Sequence, residues 1–148
     1  MPQPRHALSA LALVLSLSFF ASAHAAPPMT DNDQEILVKT TLMTFNDANL
    51  TGNYSVLYDK SAKIFRAQAS AQKLSDAFKV FRDKKIDLAS IVADEIDSAK
   101  APAVGADGVL NLKGRFKDDE KKVRYDLKFI QEDGAWKLIG LNVDYKQE

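Results

Sequence analysis

Residues 109–145, VLNLKGRFKDDEKKVRYDLKFIQEDGAWKLIGLNVDY, decide the fold. In the first part Leu110, Leu112, Gly114 and Phe116 alternate with Asn111, Lys113, Arg115 and Lys117. In the second, Val123, Tyr125, Leu127 and Phe129 alternate with Arg124, Asp126 and Lys128. Alternation with a period of two predicts antiparallel strands with one apolar and one wet face. The polar segment KDDEK (117–121) joins the first two strands, and Asp133-Gly134 is a two-residue hairpin signal because both positions favour positive φ. The last strand, 135–145, carries apolar residues of both parities: Trp136 and Leu138, then Ile139, Leu141 and Val143. Either it is covered on both faces or a bulge near Gly140 switches its facing.

A sheet with one apolar face needs a cover, and the upstream segments supply helices. Thr30 or Asp31 caps the first, with Asp31, Asp33 and Glu35 at its positive end. It is expected to run to about Leu50, with Gly52 just past its end. Leu37, Val38, Thr41, Leu42, Phe45 and Ala48 form the face that covers the sheet. Ile36, Met43 and Leu50 recur every seven residues on the other side and are candidates for an interface with another helix or another subunit. Asn53 caps a second predicted helix carrying Tyr54, Leu57, Tyr58, Ile64 and Phe65. Ser70 caps a third, with Leu74, Ala77, Phe78 and Phe81 on one face and Arg82, Lys84 and Lys85 at its end. Residues 91–104 alternate weakly, contain Pro102 and read as an edge strand. The expected class is α+β: three N-terminal helices on a curved, mostly antiparallel four-stranded sheet, in a cone or roll.

The first residues carry a different message. MPQPRH has Arg5 as its only full charge, about 14 apolar or small residues follow from Ala7 to Phe20, and Ala23-His24-Ala25 supplies a cleavage site. A signal peptide over 1–25 is therefore expected, with a linker over 26–30 and one domain over 31–148. The mature protein is then expected to be periplasmic or secreted, without stable membrane insertion. Losing Arg5 changes 20 basic against 20 acidic residues to 19 against 20, a net charge of −1. That balance argues against nucleic acid as a partner. The chain has no cysteine, and both histidines, His6 and His24, precede the cleavage site. Histidine-assisted nucleophiles and nitrogen- or sulfur-ligated metals are thereby excluded from the mature chain. Neither Asp94-Glu95-Asp97 nor Asp118-Asp119-Glu120 has a calcium-loop pattern, so no metal site and no cofactor are expected.

Phe45-(x)2-Ala48 before Gly52-Asn53-Tyr54, then Gly108-Val109-Leu110 with Leu112 and Gly114, and finally EDGAWKL (132–138) together resemble the nuclear transport factor 2-like superfamily. The likeness extends over 31–145 and rests on fold markers. It implies a conical sheet closed by helices around a pocket, a plan shared by isomerases, dehydratases, transport factors and non-catalytic modules. The superfamily's dehydratase-type sites rely on histidine, which the mature chain lacks. Its isomerase-type sites pair a tyrosine with two acids, and no such set falls on matching positions.

Tyr54, Tyr58, Phe78, Phe81, Tyr125, Phe129 and Trp136 are the candidate lining of a pocket for an apolar ligand, although aromatic residues at these spacings also serve as core. Residues 109–130 carry seven basic side chains against four acids, whereas 31–52 carry one against four. The basic set is either a patch for an anionic partner or an ordinary solvated face. The favoured function is a non-catalytic module of the bacterial cell envelope, binding a small apolar molecule or an envelope protein and forming a homodimer. Two alternatives stand beside it: a small lyase or isomerase using tyrosine and carboxylate, and a structural subunit whose pocket is filled by its own side chains.

Overall fold

A computed structural model describes residues 29–98, 102–118 and 121–147. The expected signal peptide and residues 26–28 of the linker lie outside these. The chain is α+β; the described residues form five helices, one 3-10 turn and a five-stranded antiparallel sheet that stays open.

Helix α1 (Asp31–Thr51) begins as the sequence predicts. Thr30 accepts from the Asp33 amide at 3.1 Å while the Asp33 carboxylate reaches back to Thr30, a reciprocal capping box. It ends at Gly52, whose φ of +73° is the left-handed conformation that glycine reaches without a Cβ penalty. Val38, Leu42, Phe45 and Ala48 are buried in the core, each of the larger ones contributing about 1.5–3 kcal/mol by leaving water.

The two further helices expected by the sequence are four. α2 (Ser55–Lys60) and α3 (Lys63–Gln68) are separated by extended backbone at Ser61 and Ala62. There the Ala62 amide donates to the Leu138 carbonyl at 2.9 Å, so the chain leaves the helix to bridge a strand. Arg66 Nη1 donates to the carbonyls of Asp59 (3.0 Å) and Ser61 (2.6 Å), satisfying groups that the break exposes. α4 (Ala71–Ala77) has the predicted Ser70 cap, and α5 (Lys79–Asp83) follows after Phe78 leaves helical geometry. The C-terminal cations Arg82, Lys84 and Lys85 stand where the sequence puts them.

The weak edge strand expected over 91–104 is instead a 3-10 turn (Ala89–Val92) followed by two short strands, β1 (Ile96–Ser98) and β2 (Ala103–Val104). Side chains explain the turn: Asn46 accepts from the Leu88 amide at 2.8 Å, and Asp87 from the Ala89 amide at 2.9 Å. Both short strands pair with β3 (Leu110–Phe116), which pairs with β4 (Lys121–Glu132), which pairs with β5 (Ala135–Gln147). The sheet thus has five strands rather than four. β3 alternates buried and exposed along its whole length, as its sequence does.

The register also decides the facing of β5. Lys128 is opposite Gly140 while Phe129 is opposite Leu138, so Ile139 is the extra residue of a bulge. Trp136 and Leu138 face the helices before it, and Leu141, Val143 and Tyr145 lie opposite inward residues of β4 after it. Of the two readings of this strand, the bulge is the one observed.

Candidate functional site

Four residues stand in one row across the inner face: Ser98 on β1 opposite Gly114 on β3, Gly114 opposite Tyr125 on β4, and Tyr125 opposite Val143 on β5. Gly114 is the reason Tyr125 can lie down. A Cβ at that position would stand 2.6 Å from the Tyr125 hydroxyl and 2.8 Å from the Asp97 carbonyl oxygen. Without it the phenol crosses β3 and reaches Ser98, with which it hydrogen bonds. Phe116 packs beside the same ring, 5.7 Å between centroids.

The first turns of α1 pass over this row without filling it. They leave a cavity of about 340 Å³ whose floor and walls include Gln34, Val38, Ile96, Ser98, Leu112 and Tyr125. Asp31, Glu35, Ser98 and Lys113 of this lining are exposed, and Pro102 is half-buried. Gln34 is buried on the sheet-facing side of α1 and donates through Nε2 to Asp31 at 3.3 Å. Glu35 pairs with Lys39 at 2.7 Å, and Lys39 also donates to the Val92 carbonyl at 3.0 Å. Lys113 is turned to Asp126, at 3.3 Å.

Burial pushes the Tyr125 hydroxyl up to about 12. The Ser98 hydrogen bond draws it back a little, while the carboxylates of Asp97 and Glu35 raise it further. The phenol therefore keeps its proton at any physiological pH and acts as a hydrogen-bond donor or acceptor in the cavity.

The other flank of α1 is more apolar. A wide depression of about 510 Å³ lies between Met29, Ile36 and Leu37 of the helix side and Ala135 and Trp136 of the β4–β5 hairpin. A smaller hollow of about 160 Å³ shares Leu37, Thr40 and Trp136 with it and reaches Leu57, Phe129 and Leu138.

The residues predicted to line one pocket occupy three places. Tyr54, Phe78 and Phe81 belong to a packed aromatic cluster around Phe45, with centroids 4.7 Å (Phe45–Phe78) and 5.1 Å (Phe45–Phe81) apart at steep angles. Tyr54 is buried, stacks on Phe78, donates to Asn49 and accepts from Arg82 Nη1 at 3.0 Å. Burial raises its pKa as well, opposed by the hydrogen bond and charge of Arg82. Tyr58 is half-buried and points its hydroxyl at the Arg66 carbonyl, 3.4 Å away. Tyr125 alone lines the polar cavity, and Phe129 and Trp136 line the opposite flank. Of the candidate interface residues, Ile36 and Leu50 are just over half exposed, whereas Met43 is half-buried against the core.

Gln34, Ser98, Ile96 and Leu112 were not singled out by sequence. A signal did exist for two of them: Gln34 stands four residues before Val38 on the apolar face of α1, and Gly114 interrupts an inward apolar row that includes Leu112. Among the described residues no group of three or more Asp, Glu, His or Cys is placed to hold a metal ion. None of the described helices is long and apolar enough to cross a membrane. No protein-family model matches the chain, and no curated protein matches its sequence.

Proposed function

We propose that this chain is a non-catalytic small-molecule-binding module of the bacterial cell envelope, with the Tyr125 cavity as its site. One observation carries the proposal. A hollow of about 340 Å³ brings apolar walls (Val38, Ile96, Leu112) together with convergent polar groups (Gln34, Ser98, Tyr125). The likeness to the nuclear transport factor 2-like superfamily supports it, since helices laid over a curved sheet around a pocket are what that likeness implies. Export rests on the signal-peptide pattern of residues 1–25.

The rival lyase or isomerase draws on the same place, because a tyrosine and the carboxylates Glu35 and Asp97 are neighbours there. Binding is favoured for a physical reason. A general acid works best with a pKa near the working pH, and Tyr125 is pushed away from neutrality. A carboxylate base needs burial and freedom from a cation to become effective; Glu35 is exposed, and the half-buried Asp97 is paired with Arg115 at 2.7 Å. Homodimerisation is part of the proposal: Ile36 and Leu50 offer exposed apolar surface along α1.

The test is a fragment library incubated with the purified protein, followed in parallel by thermal shift and by product analysis. Expected are compounds that raise the melting temperature, lose that effect partly in Tyr125→Phe, and emerge unchanged. Turnover that Tyr125→Phe abolishes would replace the binding module by the enzyme. For the dimer, sedimentation of Ile36→Glu should show a folded monomer; a wild-type monomer at high concentration would end that part of the proposal.

A further inference from the structure

The charges around the Tyr125 cavity are unequal, and the inequality survives pairing. Three acids face it: Asp31 and Glu35 in the lining, and Asp97, whose field reaches the Tyr125 hydroxyl from β1. Three cations stand near these groups, and each is already committed. Lys39 holds Glu35 at 2.7 Å, Arg115 holds Asp97 at 2.7 Å, and Lys113 holds Asp126 at 3.3 Å. Asp31 has no cationic partner among the described residues; its contact is the Gln34 amide at 3.3 Å. The positive end of α1 is met by its own Thr30–Asp33 cap, so it does not cancel Asp31 alone.

Two features of the cavity then point the same way. Its lining keeps an unpaired negative charge at the first turn of α1. Its floor presents the protonated phenol of Tyr125, with Glu35 and Asp97 near it, each in an ion pair. An anionic ligand would meet the Asp31 carboxylate at the mouth, with the lining's Lys113 already turned to Asp126. A cation would find an acceptor carboxylate at the mouth, the neutral Tyr125 hydroxyl on the floor and apolar walls between.

We propose that the cavity takes an organic monocationic amine with a small apolar body, its ammonium beside Asp31 and Glu35 and its apolar end against Val38, Ile96 and Leu112. Size limits the ligand: about 340 Å³ is roughly the liquid volume of eleven waters at about 30 Å³ each. This inference rests on the cavity being a binding site, as proposed above, and adds the sign of its ligand.

Three probes of similar shape separate the two ideas: 2-phenylethylammonium, 2-phenylethanol and 3-phenylpropanoate, titrated at neutral pH and followed by the methyl signals of Val38, Ile96 and Leu112. The ammonium should bind about tenfold or more tightly than the alcohol, the gain of a charged over a neutral hydrogen bond, and the carboxylate weakest of all. Added salt should shrink the advantage, and Asp31→Asn with Glu35→Gln should remove it. Equal binding of amine and alcohol, or preference for the carboxylate, would overturn the cation while leaving the cavity as a site. Failure of all three probes to move any of those methyl signals would overturn both.

Discussion

Tyr54 and Tyr125 are both buried tyrosines beneath the helical layer, and burial raises the pKa of both, yet they belong to different kinds of structure. The Tyr54 hydroxyl is held by the chain itself, between Asn49 and Arg82, and its ring is stacked in a cluster of phenylalanines. The Tyr125 hydroxyl crosses a glycine to an exposed serine in the lining of a cavity. Residue type does not separate them. What separates them is the neighbour: rings and a guanidinium in one case, a missing Cβ and an incompletely filled helix–sheet gap in the other.

The sharpest break of this contrast is a truncation on each side. Phe45→Ala, at the centre of the aromatic cluster, should cost about 3–5 kcal/mol in urea unfolding, because packed neighbours cannot collapse into the space. Val38→Ala, beside a hollow that already exists, should cost about 1–2 kcal/mol, close to the transfer of its two methyl groups alone. Equal losses would mean that the cavity side is packed as tightly as the cluster.

Alkaline pH gives the next effect. A folded-state pKa of about 12 against 10.0 means that the native state keeps the Tyr125 proton longer than the unfolded chain. The associated stability is fully present below pH 10 and is lost as pH rises from 10 through 12, by roughly 2–3 kcal/mol at most. Tyr125→Phe should flatten that part of the wild-type stability profile. Parallel profiles for the two proteins would show that the phenol is not shielded.

Gly114→Ala should follow at about 1–3 kcal/mol, the usual cost of overpacking, since the new methyl would meet the Tyr125 hydroxyl and the Asp97 carbonyl. The alkaline loss should shrink with it as the ring is pushed out of its row. Hydroxyl deletions come last. Tyr54→Phe leaves Arg82 and Asn49 short of a partner and should cost about 1–2 kcal/mol, whereas Tyr125→Phe should cost less than about 1 kcal/mol. A reversed order would exchange the roles of the two tyrosines.

The sequence conveyed β3, β4 and the caps well, because alternation and Thr30, Ser70 and Gly52 are local signals. It left β5 with two readings, and the register resolved them through the bulge at Ile139. The helix breaks at Ser61–Ala62 and Phe78 were not legible, since one depends on a strand carbonyl distant in sequence and the other on a ring finding Phe45. The site was legible in Tyr125 alone. Its other members come from α1, β1 and β3, and only the cross-strand row Ser98–Gly114–Tyr125 and the passage of Gln34 above it make them neighbours.

The most direct measurement is methyl-resolved NMR of the purified protein during titration with fragments found by thermal shift. Signals of Val38, Ile96 and Leu112 should move together and saturably while Leu42, in the sealed core, stays still. Shifts confined to Ile36, Leu37 and the Trp136 flank, with the Tyr125 cavity unresponsive, would contradict the assignment of the site.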